Sequence, residues 1–207
     1  MKLNKDIVVQ ILKLDKLNLS NINTHMQKNK RLLLDIASTL KEVPIESGQK
    51  IADLGCGKFG YFILAAAKMT GSQGVAYAVD IQKQNLIEVE TQAKKNNLPQ
   101  IKTVWTNLEK WQGTKIESSS LDSALLINTL NQSDKRADIL REASRMLKKK
   151  GKLLIVEWLN VELPFGPSPE KKVKKNILID SAPKLGLKLD KEFSAGEFHY
   201  GLIFSKL

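Results

Sequence analysis

The sequence predicts an α/β protein built on a mainly parallel sheet, and three observations carry that expectation. Short β-like runs alternate with helical patterns from Lys50 to Leu159, the order that parallel strands with right-handed crossovers require. Two of the runs, Ala124-Leu125-Leu126-Ile127 and Leu153-Leu154-Ile155-Val156, are continuously apolar, as strands covered on both faces are. The first run ends in a glycine-rich turn, Gly55-Cys56-Gly57-Lys58-Phe59-Gly60, that opens into a helical pattern. A length of 207 residues allows a single unit with a sizeable core.

Each element has its own local reason. Residues 6–17 place Ile7, Val8, Ile11 and Leu12 on one helical face, and residues 26–41 do the same with Met26, Leu33, Ile36, Ala37 and Leu40. Between them, Ser20 and Asn23 are candidate caps. Residues 1–48 are therefore expected to form an amphipathic helical segment packed on a core domain at 49–207. In that domain the first strand is expected over Lys50 to Leu54, followed by a helix from Tyr61 to Met69. A turn at Gly71-Ser72-Gln73-Gly74 leads to the second strand, Val75 to Asp80. A helix over Asn85 to Asn96 stops before Pro99, and the third strand runs from Ile101 to Thr106. The fourth covers Leu121 to Asn128, with a crossover helix from Asp134 to Lys149 and the fifth strand from Gly151 to Leu159. The end is different. Glu170 to Leu185 reads as a helix, and Leu187 to Phe193 and His199 to Ser205 read as strands joined by a connection short enough for antiparallel pairing.

Composition excludes several classes. One cysteine forbids an internal disulfide, and two histidines with one cysteine show no metal-ligand spacing. The opening stretch MKLNKDIVVQILKLDK has an apolar run cut by Lys13, so neither a signal peptide nor a membrane span is expected, and a cytoplasmic location is the default. The net charge of +11 comes mostly from dispersed lysines. Lys148, Lys149, Lys150 and Lys152 are expected at a helix end, where cations complement the dipole. Lys171, Lys172, Lys174 and Lys175 are expected on a solvated helix. No aromatic residues interleave with these clusters, so a solvated lysine-rich surface is preferred to RNA binding, which stays as the alternative.

The glycine turn carries the chemistry. Gly55, Gly57 and Gly60 spell a dinucleotide fingerprint, with Asp80 at about 20 residues' spacing. Asp53 argues against a pyrophosphate, because a carboxylate two residues before the first glycine repels it. No Tyr-x-x-x-Lys pair for hydride chemistry exists in the chain. A donor with a sulfonium and an ammonium would gain from the same acid. Asp53-Leu54-Gly55-Cys56-Gly57 followed by Asp80 resembles motif I and its acidic partner in class I S-adenosylmethionine (SAM)-dependent methyltransferases. The similarity continues through LDSALLIN (121–128), the helix after it and GKLLIVEW (151–158), covering about residues 45–207. One departure stands at Phe59, where the family often has its third glycine.

The resemblance implies a Rossmann-like, doubly wound seven-stranded sheet in the order 3-2-1-4-5-7-6, with strand 7 antiparallel. It implies SAM as cofactor. Ligands in such sheets bind outside the carboxyl ends of the strands. Asp53, Gly55, Cys56 and Gly57 are then expected at the amino-acid part of SAM, and Asp80 at the ribose. Ile81 is expected on the adenine, Asn107 and Leu108 beside it, and Asn128 near the methionine moiety or the acceptor. Cys56 also fits as a small loop-filling residue. Methyl transfer needs a base only if the acceptor must lose a proton, and Glu157 and His199 are the candidates, His199 competing with a purely structural role. Trp158 and Phe165 are expected to line an acceptor pocket. A small-molecule acceptor is the leading reading. RNA, and a non-catalytic interaction module hinted at by Phe59, are the alternatives.

Overall fold

The structure is a computed structural model, and it describes residues 34–207. The expected helical segment at 6–17 and the first part of that at 26–41 lie outside the described residues. What is described of the second is α1 (Ile36–Lys41), capped by Asp35, whose side chain accepts the Ser38 N–H. From there the chain alternates as the pattern demands: β1 (Lys50–Leu54), α2 (Tyr61–Thr70), β2 (Val75–Asp80), α3 (Lys83–Lys95), β3 (Ile101–Trp105), β4 (Leu121–Ile127), α4 (Arg136–Met146) and β5 (Leu147–Trp158). A short helix α5 (Lys175–Ser181) precedes β6 (Leu187–Ser194) and β7 (His199–Lys206). The seven strands form one sheet in the order β3-β2-β1-β4-β5-β7-β6. Only β7 runs antiparallel to its neighbours, pairing Trp158 with His199 on one side and Ser194 with Tyr200 on the other. The core lies against the central strands: Ala52, Leu54, Ala124, Leu126, Leu153 and Ile155 are all buried there.

Two expectations are corrected. The crossover helix stops at Met146, and Leu147 already pairs with Leu121, so Lys148, Lys149 and Lys150 belong to β5 rather than to a helix end. Strand pairing outweighs the helix propensity of the lysines, and the register shift between Leu121 and Ser123 absorbs the extra residues. Lys148 there bonds Asp122 at 2.6 Å. The second correction is in the stretch from Glu170 to Leu185, which is no single helix. Pro169 and Pro183 each lie in the first two residues of a separate 3-10 turn, and only Lys175–Ser181 is α-helical. Lys172 lies between these pieces and is 5% exposed, so it is not on a solvated face.

One buried ion pair ties the long loop between β3 and β4 to α4. Glu142 is fully buried and meets Arg145 at 2.8 Å. Its two oxygens also accept the N–H groups of Gln112 and Thr114, while Arg145 bonds the carbonyls of Thr114 and Ile116. Burial works to raise the Glu142 pKa, but the Arg145 bond and the two amides outweigh it and hold it below the usual range. Removing one partner strands the other charge in the interior. Glu142→Ala should therefore destabilise the fold by about 3 kcal/mol, whereas Asp138→Ala, which breaks only the exposed pair with Arg141, should cost about 0.5 kcal/mol or less. Urea unfolding of the two variants measures both.

Candidate functional site

The carboxyl ends of β1 and β2 meet at the glycine turn. Gly55 and Cys56 both donate to the carbonyl of Val79, which locks the turn to β2. Asp80 Oδ2 accepts the Gly57 N–H at 2.9 Å, and Oδ1 accepts the Gln82 N–H at 2.8 Å. Gly57 has φ +66°, and a Cβ built there would meet nothing within 4 Å, so the turn faces open space. The helix α2 begins after Gly60, which takes φ +55°. A side chain on Gly60 would collide with Val89 at 2.8 Å, so the close packing that a third glycine permits occurs there, while Phe59 stacks on Tyr61.

Asp53 lies under this turn and is 2% exposed. Its Oδ1 is buried without a hydrogen-bond partner. Burial, then the charge of Asp80, push its pKa up to about 7, with the Ile63 amide working against them. The same burial, with the charges of Asp53 and Asp80, pushes the Cys56 thiol up, so it stays protonated and is a poor nucleophile. Ile81 follows Asp80 and is 58% exposed. Trp105, at the end of β3, bonds the Ile81 carbonyl through its indole N–H and carries the Lys83 ammonium 4.1 Å over its ring.

The second half of the site forms at the ends of β4, β5 and β7. Asn128 takes φ +54°, which asparagine tolerates. Its Nδ2 lies 3.2 Å from His199 Nε2, and its Oδ1 is buried without a hydrogen-bond partner. The Thr129 hydroxyl donates to the Leu54 carbonyl at 2.9 Å, and its side chain packs where a Cβ on Gly55 would be, so the β4 turn touches the glycine turn. Glu157 is fully buried, and its carboxylate accepts the N–H of Leu130 and both the N–H and the Nδ2 of Asn131. Burial raises its pKa to about 7 even against these bonds. His199 lies 4.2 Å from the Trp158 ring, Trp158 meets Phe165 edge-on, and Phe165 meets Phe198 in the same way.

Residues 45–186 match the family model described as a methyltransferase domain. The chain belongs to the class I SAM-dependent methyltransferase family. No curated protein sequence matches it. Among solved structures it is similar to a SAM-dependent methyltransferase from Aquifex aeolicus, with 22% identity and a TM-score of 0.78 over 96% of this chain and 98% of that one. It is also similar to an arsenic(III) SAM methyltransferase from Chlamydomonas reinhardtii, with 19% identity and a TM-score of 0.64 over 83% and 73%. The cyclase SpnF shares the fold too, at 13% identity and a TM-score of 0.70 over 83% and 79%. Such identities speak for fold alone, and one fold can host several chemistries.

The residues present fit SAM. The orphaned Asp53 oxygen is a buried acceptor in want of a cationic partner. A carboxylate offers about four lone-pair positions, and Asp80 spends two on backbone amides, leaving two for ribose hydroxyls. Asp53, Gly55, Cys56, Gly57, Asp80 and Ile81 converge on one methyltransferase turn, and Asn128 joins them through Thr129. Asn107 and Leu108 stand less directly. Asn107 Oδ1 accepts the Glu109 N–H in its own loop, and Leu108 is buried in the core. Neither candidate base is a free side chain at the surface: Glu157 braces the β4 turn, and His199 is buried between Trp158 and Asn128. Sequence reasoning missed Thr129, Asn131 and Phe198. Their only sequence signal is position, one to three residues past Asn128 and one before His199.

Asp53 makes stability depend on pH. A carboxyl whose folded pKa is raised holds a proton that the unfolded chain has released, between about pH 4 and pH 7. Stability should thus fall as pH rises through that window, by on the order of a few kcal/mol at most. Asp53→Asn should flatten the fall between pH 5 and pH 8 in urea titrations. An unchanged slope would mean that Asp53 is ionised throughout.

Proposed function

We propose that this chain transfers the methyl group of SAM to a small molecule held at the carboxyl ends of β4 and β5 and the amino end of β7. The observation that carries the cofactor half is the Asp53 carboxylate, buried, short of a partner and facing Asp80 across a turn that is open to a ligand. In this reading Asp53 receives the cationic methionine end, Asp80 the ribose, Ile81 the adenine face, and Gly57 leaves room for the cofactor to lie close. Asn107 and Leu108 border the adenine, and Cys56 fills the turn. SAM supplies an activated methyl carbon. What the protein adds is alignment and the exclusion of water.

The acceptor half rests on the aromatic group of Trp158, Phe165, Phe198 and His199 next to Asn128. Flat apolar walls suit a small organic acceptor, with the Asn128 oxygen positioned to orient it. Glu157 acts by holding Leu130 and Asn131, and so Asn128, in place. His199 is the group on this side able to take a proton, if the acceptor carries one to lose.

RNA is the weaker acceptor on these observations. In the cluster once expected on a solvated face, Lys172 is buried and Lys175 is paired with Glu192, so few of its charges are left for phosphates. Incubation with methyl-labelled SAM and either low-mass metabolites or total RNA tests the choice. Label should enter the low-mass fraction. Label in RNA, with affinity falling steeply as salt rises, would move the acceptor to RNA.

For the cofactor, Asp80→Ala should weaken SAM binding by roughly 1–3 kcal/mol, as ribose hydroxyls lose a charged acceptor and the turn loses its brace. Isothermal titration of the folded variant reads this directly. Unaltered affinity would remove Asp80 from the site.

A further inference from the structure

We propose that the cavity under the loop after β5 is an anion-binding subsite for the methyl acceptor, with the Lys172 ammonium as its anchor. This rests on the small-molecule reading above and narrows it to an acceptor with a carboxylate or phosphate at one end.

The cavity has a volume of about 280 Å³ and is bounded by Glu162 to Pro169 and by Lys172. That is at the low end for ligand pockets, enough for about one ring and its substituents. Lys172 is almost wholly buried, yet it forms no ion pair among the described residues. Its neighbours in kind differ: Lys148, Lys152 and Lys175 are more exposed and each has a carboxylate partner. An ammonium has three N–H donors. The Val161 carbonyl takes one of them. A buried charge left so poorly paired is costly, and an anion in the cavity would supply the missing partner.

The rest of the lining says what the anion is attached to. Phe165 leans on Trp158 and Phe198, and Gly166 lies so close to the Trp158 ring that a Cβ there would be 3.0 Å from it. Leu163, Pro164, Pro167 and Pro169 are also apolar and, apart from Leu163, bring no N–H donor. Lys172 is the one cation of the lining, and the Ser168 hydroxyl is already given to Glu170. Glu162 also borders the cavity and is exposed; its charge disfavours an anion at that end and directs it toward Lys172. From the cavity wall a chain of contacts runs through Trp158 and His199 to Asn128. The cavity wall is thus continuous with the strand ends where methyl transfer is proposed.

Benzoate, phenyl phosphate and the neutral isostere benzamide can be titrated into the full chain, read by calorimetry and by the indole signals in NMR spectra. Either or both anions should bind saturably, roughly tenfold or more tighter than benzamide; which anion binds identifies the acidic group. Lys172→Met should abolish the preference and Lys172→Arg should keep it, with SAM affinity the same in each variant. Equal binding of benzamide and the anions to the wild type overturns the subsite, and that comparison needs no variant to fold. So does undiminished anion binding to Lys172→Met, or no binding of any probe. The bound anion should also suppress label transfer from SAM to the low-mass fraction. Binding through Lys172 without suppression would overturn the link to the acceptor, whereas failure of SAM itself to bind would bring down the proposed function instead.

Discussion

The carboxylate of Asp80 is the joint on which the cofactor end of the sheet depends. One oxygen holds the Gly57 amide and the other the Gln82 amide, so a single side chain fixes both the glycine turn and the entry to α3. The backbone of Asp80 adds a third tie, its carbonyl accepting the Thr106 N–H at the start of the loop after β3. Three strand-end loops thus share one residue. Asp53 beneath them adds a second buried acid, which forms no ion pair among the described residues. A turn built over two acids favours a positively charged guest before any specific contact is counted.

A second carboxylate organises the other half. Glu157 is buried at the end of β5 and faces the amides of Leu130 and Asn131 on the turn after β4. Those amides open the 3-10 turn at Leu130–Gln132, where orphan N–H groups need an acceptor. With the turn held, Asn128 keeps its left-handed conformation and Thr129 reaches back to Leu54. The cofactor half and the proposed acceptor half are therefore joined by a hydroxyl and a methyl packed against Gly55. The division of labour is physical. The acids brace backbone, while the aromatic groups around Trp158 supply a surface.

Much of the fold was legible in the residues. The bounds of β1 and β2 follow from short apolar runs ended by an acid and a turn, and periodicity located α2 and α3 to within two residues. The sheet order came from resemblance, and the short link between β6 and β7 gave a physical reason for their antiparallel pairing. Periodicity failed where tertiary pairing decides the outcome. Lys148 to Lys150 look like a helix end, but Leu147 pairs with Leu121 across the sheet. Lys172 looks solvated, because burial of one lysine in a lysine-rich stretch depends on how Pro169 and the loop before it fold back. At the site, the types of Asp53 and Asp80 were readable from spacing. What Asp80 bonds was not, since Gly57 and Gln82 are backbone partners without any side-chain signature. The bracing role of Glu157 was hidden for the same reason.

The position of β7 has a consequence for how the chain reaches this fold. It is the last of the seven strands of this sheet in chain order, yet it lies inside the sheet between β5 and β6. While a ribosome is still making residues 199–206, β5 has an unpaired edge, and that edge is rich in leucine, isoleucine and valine. Such an edge invites pairing with another chain. The sheet can close only once β7 has formed, so insertion of that strand is expected to be a late step of folding. The lysines at the start of β5 and the charged outer strand β6 then act as guards on the two sides of that late-filled gap.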